Sequence, residues 1–340
     1  MFKHRELMKN VLFLFIVILS ISCTIDPFLN DGSVRSKKEG LLKESQESVL
    51  NLDSDFIVVF GDLQTYTMGR FIEYYKQSCN WIRGQYNAGA RIKSILEVGD
   101  VTQNNAIDQW LLFKESSDTV SSVIPFFVCV GNHDYSWSSA KIYDRNTTHI
   151  NDYSHFPETD RLIVTYYKEG DLSNYVANLN VRDSLYLLAL EFGPREEVLE
   201  WAGSYVSGHP EKQFILMTHE WLNSDGRRIS SGSDAELQLK GFSSYSTPED
   251  IWNRVVALND NVRFVICGHS GFSSVLYSTN CAGRQVPQVL FNLQYVTNGG
   301  NGLIQIWEFP IGSSKVNIMV YDTINNKLFS PTSTSFSFGN

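Results

Sequence analysis

From Asp55 onward, short apolar runs alternate with stretches whose apolar residues recur at helical spacing, an order that predicts a layered α/β architecture. The run Phe56–Phe60 predicts a buried strand, 71–86 a helix, 94–98 a second strand, and 107–120 a helix with apolar positions Ile107, Trp110, Leu111 and Phe113. Strands follow at 124–130, 162–167 and 185–190. A helix at 196–206 leads into a strand at 214–217, and a helix at 248–258 leads into one at 262–266. The pattern closes on strands at 289–293, 303–309 and 316–321. Between the third and fifth of these strands, 135–180 carries Trp137, Tyr143, Tyr153, Phe156, Tyr166, Tyr167 and Tyr175 without clear periodicity. It is expected to be an insertion, its aromatics either packing within it or forming a rim for a sugar or base.

The first residues follow a different pattern. Lys3, Arg5 and Lys9 precede an apolar run from Val11 to Leu19 that is too short to span a bilayer. The following Leu19-Ser20-Ile21-Ser22-Cys23 resembles a bacterial lipoprotein cleavage box, which implies a signal peptide over 1–22 and lipidation of Cys23. The alternative is an ordinary secretory signal. Residues 23–53 are polar and read as a flexible tether, 54–325 as the folded domain, and 326–340 as a C-terminal tail.

Composition narrows the classes. With 340 residues, 43% of them hydrophobic, the chain has ample core, which excludes disorder and a small disulfide-stapled module. A net charge of -9 argues against a nucleic-acid-binding surface. The five cysteines show no CxxC pair; Cys129 and Cys267 fall in apolar strands as buried small side chains, while Cys79 and Cys281 are left open as a pair.

The candidate chemistry lies just after the predicted strands, where open α/β sheets place their ligands. There stand Gly61-Asp62-Leu63-Gln64, Gly99-Asp100, Gly131-Asn132-His133-Asp134, Thr218-His219-Glu220 and Gly268-His269-Ser270-Gly271. Each alone has an ordinary explanation as a turn or a cap. Two Asp, an Asn and imidazoles recurring at five strand ends do not.

This series resembles the calcineurin-like metallophosphoesterase superfamily, whose signature runs Asp-x-His, Gly-Asp, Gly-Asn-His, a lone His and Gly-His-x-His. The resemblance implies a four-layer α/β/β/α sandwich of two mixed sheets flanked by helices, with two metal ions at the strand ends. It implies that Asp100 bridges the ions, that Asn132, His219 and His269 complete one site, and that Asp62 and Gln64 face the other. His133 is implied as the proton donor or phosphate-binding cation over the substrate, making His133 and Asp100 the catalytic residues. The residue types suit phosphate ester hydrolysis, which needs a nucleophile at neutral pH and neutralisation of phosphoryl charge; a metal pair provides both.

Two departures fall on one site: Gln64 stands where the superfamily has His, and Gly271 where it has the second His. What remains there is an oxygen set suited to Mg²⁺, Mn²⁺ or Ca²⁺. The expected cofactors are therefore one tightly held divalent ion of Fe, Zn or Mn type and a weaker second of Mn or Mg type. Gln103 occupies the place of the Asp that pairs with the proton-donating His in phosphoprotein phosphatases, so that activity is not expected. The nearer likeness is to secreted bacterial phosphoesterases with a Gly-Asp-x-Gln opening and a late Asn-x-Gln-Tyr, here Asn292-Leu293-Gln294-Tyr295. Arg227 and Arg228 are placed to reach a phosphate oxygen. The expectation is a lipid-anchored, metal-dependent phosphohydrolase of the bacterial cell envelope. Its expected partners are the membrane, through the lipid, and a phosphorylated small-molecule or envelope substrate. The alternative is a non-catalytic metal- and ligand-binding relative of the same fold.

Overall fold

Runs of Val, Ile, Leu and Phe with no polar face form strands buried on both sides, and the centre of each sheet here is built that way. All seven residues of β1 (Ser54–Phe60) and all six of the later strand Val262–Cys267 are buried. The structure is a computed structural model. It describes residues 48–137, 142–182, 184–233, 239–329 and 334–337. The expected signal peptide 1–22, Cys23 and the tether up to residue 47 lie outside the described residues.

In chain order the strands are β1, β2 (Arg91–Glu97), β3 (Phe126–Val128), β4 (Ser136–Trp137), β5 (Tyr143–Asp144), β6 (Ile163–Tyr166), β7 (Tyr175–Asn178) and β8 (Leu185–Ala189). They continue as β9 (Gln213–Met217), β10 (Val262–Cys267), β11 (Phe272–Thr279), β12 (Gln285–Asn292), β13 (Leu303–Pro310), β14 (Lys315–Asp322), β15 (Lys327–Leu328) and β16 (Thr334–Ser337). One sheet runs β15-β14-β13-β1-β2-β3, with β16 also paired to β14; the other runs β11-β12-β10-β9-β8-β7-β6. Parallel pairing holds β1-β2-β3 and β8-β9-β10-β12, and antiparallel strands flank both sets, so each sheet is mixed.

The sheets pack face to face through Phe264 of β10 against Trp307 of β13, 5.3 Å between ring centroids, and through the Tyr175 hydroxyl, which donates to the Val128 carbonyl at 3.0 Å. Helices Ile72–Asn87 and Ile107–Ser121 cover the first sheet, joined by Tyr75 and Ser117 at 2.6 Å, while Glu196–Gly208 covers the second. The fold is the four-layer α/β/β/α sandwich.

Several expectations change. In helix Ile107–Ser121 the buried stripe is Trp110, Phe113, Ser117 and Val120, and the expected apolar positions Ile107 and Leu111 are 52% and 43% exposed because they fall off that face. The helix expected over 248–258 is capped by Thr247, which accepts from Asp250 N at 3.2 Å, and after one α-turn it widens into a π-helix over Trp252–Val256. The stretch 135–180 is in part sheet, since β6 and β7 extend the second one; Tyr143, Phe156 and Tyr175 are buried packing residues. The expected tail contributes β15 and β16, with Phe336 buried against Phe264 at 5.9 Å. The end of the expected tether is docked: Gln85 Oε1 accepts from Ser48 Oγ and Val49 N, and Leu50 is buried. Among the described residues, no helix is long and apolar enough to cross a membrane.

Candidate metal centre

The carboxyl ends of β1, β2 and β3 in one sheet meet those of β9, β10 and β12 in the other. Gln64, Asp100, Asn132, His133 and His269 line one cavity there of about 290 Å³, together with Ser224, Gln294 and Tyr295. The backbone is shaped for this convergence. Asp100 and His269 adopt left-handed φ of 60° and 65°, and Gly99, with φ 105°, lets His219 close in so tightly that a Cβ would come within 2.5 Å of its Nδ1.

Asp100, His219 and His269 each bring one ligand atom to within 4.8 Å of the others. His219 Nε2 is 3.2 Å from both Asp100 Oδ2 and His269 Nδ1. Because His219 Nδ1 donates to the Val98 carbonyl at 2.9 Å, its Nε2 presents a lone pair to the carboxylate when the ring is neutral. Asn132 Oδ1, in the same cavity, is buried with no hydrogen-bond partner, its Nδ2 donating to the Tyr143 hydroxyl at 3.4 Å. A carboxylate, two imidazoles and an amide oxygen converging without donors between them fit a divalent cation of borderline type. In its absence a proton takes that part. Burial opposes charge on His219, but Asp100 and Asp62 outweigh it and lift the imidazolium to about 10. Burial likewise opposes charge on Asp100, and His219 beside it holds the carboxyl down at about 2. Burial and the neighbouring His219 push His269 down to about 3.

The residues expected at the second ion are disposed differently. Asp62 Oδ1 accepts from His269 N at 3.1 Å, and its Oδ2 accepts from Asn292 Nδ2 at 2.7 Å and Gln294 Nε2 at 2.9 Å. Gln64 donates through Nε2 to Gln294 Oε1 at 2.5 Å, leaving its own Oε1 buried and unpartnered. Asp62 is thus engaged by three N–H donors, and the atoms left for a second cation are those of Asp100 and Gln64 Oε1. Such a set fits only a weakly held, largely hydrated ion.

His133 stands at the rim. Its backbone N–H donates to Asp100 Oδ1 at 2.9 Å, and its Nδ1 is 2.6 Å from the Gln103 carbonyl. A carbonyl only accepts, so Nδ1 carries a proton and Nε2 is the ring nitrogen left outside that contact. Gln103, which stands in the place of the pairing Asp, meets this ring through its backbone carbonyl, with its side-chain Nε2 3.3 Å from the same nitrogen.

The arginines do not join the cavity. Arg228 Nε donates to Glu249 Oε2 at 2.7 Å and its Nη1 to Gln288 Oε1 at 2.8 Å, with the guanidinium 4.3 Å from the Trp252 ring, while Arg227 pairs with Asp225. Cys129 and Cys267 are buried as expected, and Cys79 and Cys281 are free thiols, one buried and one exposed.

Sequence reasoning assigned no role to four contributors. Asp134 fastens two site loops, its oxygens accepting from the backbone N–H groups of Gly131, Val101 and Thr102. Asn292 and Gln294 hold Asp62; the Asn-x-Gln-Tyr stretch was their only signal. Glu220 follows His219 into the interior and is buried.

The uncharacterized protein YvnB of Bacillus subtilis (strain 168) is 23% identical over 316 residues, a match covering 86% of this chain and 22% of that protein, so the chain spans about a fifth of the relative's length. Among solved structures, an uncharacterized protein of Streptococcus pneumoniae TIGR4 described as a predicted phosphoesterase aligns with TM-score 0.36 and 10% identity. Vacuolar Protein Sorting 29 of Cryptosporidium parvum aligns with TM-score 0.34 and 14% identity; each alignment covers 84% of this chain and 98% of the other. The sequence profile of the family described as calcineurin-like phosphoesterase matches residues 51–271, from the last residues before β1 through the loop that carries His269. Over that span, which is most of the folded chain, the protein belongs to the calcineurin-like phosphoesterase family.

Proposed function

We propose that this chain is a divalent-metal-dependent phosphohydrolase, held in the bacterial cell envelope by a lipid on Cys23 and acting on a phosphomonoester, phosphodiester or nucleotide-like substrate. The observation that carries the reading is the position of His133, whose Nδ1 is pinned to the Gln103 carbonyl while the residue lines the same cavity as the converging Asp100, Asn132 and His269. Bound divalent cations supply an acidified water and neutralise charge on the phosphoryl oxygens. Asp100, Asn132, His219 and His269 hold the tighter ion, of Fe, Zn or Mn type. Gln64 Oε1 and Asp100 leave room for a weaker one of Mn or Mg type. His133, protonated at Nε2, donates to the departing oxygen, while the Gln103 carbonyl keeps its ring from turning. The anchoring part of the reading rests on the residues before Cys23 and on the likeness to secreted phosphoesterases.

A second reading, one bound ion and a ligand that is not turned over, is favoured by the engagement of Asp62 with Asn292 and Gln294. Turnover of aryl phosphomonoesters and diesters, with Mn²⁺, Mg²⁺ or Zn²⁺ added, separates the two when combined with elemental analysis after exhaustive dialysis. The expected result is one retained ion per chain and turnover that rises with added Mn²⁺ or Mg²⁺. One ion without turnover of any ester supports the second reading, two retained ions overturn the asymmetry, and no bound metal removes the constellation as a metal site.

A further inference from the structure

Glu220 is a second carboxylate beside the cation ligands, and the proposed chemistry does not use it. Its side chain is 1% exposed, and neither carboxylate oxygen has a hydrogen-bond partner. A buried carboxylate left unpaired is expensive, more so than a typical hydrogen bond is favourable, so its place calls for a partner. The polar atom facing it is His269 Nε2, 3.4 Å from Oε1, where a small turn of the ring makes a hydrogen bond. The opposite ring atom, Nδ1, is the one that faces His219 Nε2 at 3.2 Å. A neutral imidazole carries a single proton. On Nδ1 that proton would occupy the space among Asp100, His219 and His269 where a cation belongs; on Nε2 it points at Glu220.

We propose that Glu220 is the positioning residue of the metal centre: its carboxylate accepts the Nε2–H of His269, which fixes the tautomer that leaves Nδ1 free for the cation and sets the plane of the ring. This rests on the cation site proposed above. Carboxylate partners of ligating imidazoles act in this way generally, and their removal typically weakens metal binding about 10- to 100-fold.

The test is Zn²⁺ affinity by competition titration for wild type, Glu220→Gln and Glu220→Leu, together with long-range ¹H–¹⁵N spectra of the histidine rings in Zn²⁺-loaded wild type. Glu220→Leu should bind Zn²⁺ about 10- to 100-fold more weakly. Glu220→Gln, whose amide oxygen still accepts, should recover most of that loss. The spectrum should place the His269 proton on Nε2. A proton on Nδ1 overturns the inference without any variant, and so do folded variants that both bind Zn²⁺ as wild type does. If Glu220→Leu fails to fold, the wild-type spectrum and Glu220→Gln decide. Wild-type protein that binds no Zn²⁺ overturns the cation site itself, a failure distinct from normal binding with the proton misplaced.

Discussion

In His133, the proposed proton donor, one ring nitrogen is held by the Gln103 carbonyl, and that limits what its neighbours need to be. His133→Ala should retain the tightly held ion, measured by elemental analysis, while turnover falls by about 10²- to 10⁴-fold, the usual contribution of a positioned proton donor. Because the shorter contact to His133 Nδ1, 2.6 Å, comes from the Gln103 carbonyl and the side-chain amide stands farther off at 3.3 Å, Gln103→Ala should leave turnover within a few-fold of wild type. A loss comparable to His133→Ala would show that the side chain has a part of its own. At this scale the candidate cation ligands were legible because each follows a strand, several of them directly after a glycine. The partners of Asp62 were not. Asn292 and Gln294 lie more than two hundred residues away, and only the register of β12 against β10 brings them to it. Glu220 stayed hidden for another reason: a glutamate after a strand reads as a surface residue until its burial is known.

Elements were legible where the pattern was strong and misread where pairing, rather than local sequence, decides. The parallel centres of both sheets read directly as unbroken apolar runs. β11 escaped because its exposed, serine-rich edge has no clean alternation; the antiparallel match of Phe272–Thr279 to Gln285–Asn292 creates the strand. β16 escaped for the same reason. Its Phe336 packs against Phe264 of the other sheet and Tyr277 of β11. Phe336→Ala should lower unfolding free energy by about 2 kcal/mol, short of a full core deletion because the strand lies near the edge. Denaturant midpoints measure this, and a change below about 0.5 kcal/mol, the range of ordinary surface substitutions, would return residues 334–337 to the role of a loose end.

For the whole molecule, the buried titratable groups of the cavity set the dependence of stability on pH. Burial pushes the Asp62 and Glu220 carboxyls up to about 8, and His219 is held up at about 10. Each of these groups binds protons more tightly in the folded chain than in the unfolded one, so each loses stability as pH rises through its folded value. His269, pushed down to about 3, has the opposite sign but finishes below its ordinary value of 6.5. Above pH 6.5 the three raised groups therefore act together. Metal-free protein should lose stability steadily from there to about pH 10, and saturating Zn²⁺ should flatten the decline by taking the place of the protons. Thermal melts across that range decide it; a metal-free protein that gains stability toward alkaline pH would reverse the sign. Export is tested separately, since Cys23→Ser should release the protein from membrane fractions and abolish labelling by a fatty-acid probe, whereas wild type that is already soluble and unlabelled would end the lipoprotein reading. The candidate metal centre also takes Asp100 and Asn132 from the ends of one sheet and His219 and His269 from the ends of the other, so a cation there is a rivet through the seam of the sandwich. Linkage makes the rivet reciprocal: what tightens the seam tightens the ion, and the loaded ion tightens the seam. Trimming Phe264 or Trp307, deep between the sheets and outside the cavity lining, should then loosen Zn²⁺ as well as the fold, so that affinity for the ion becomes a gauge of how well the two halves are seated.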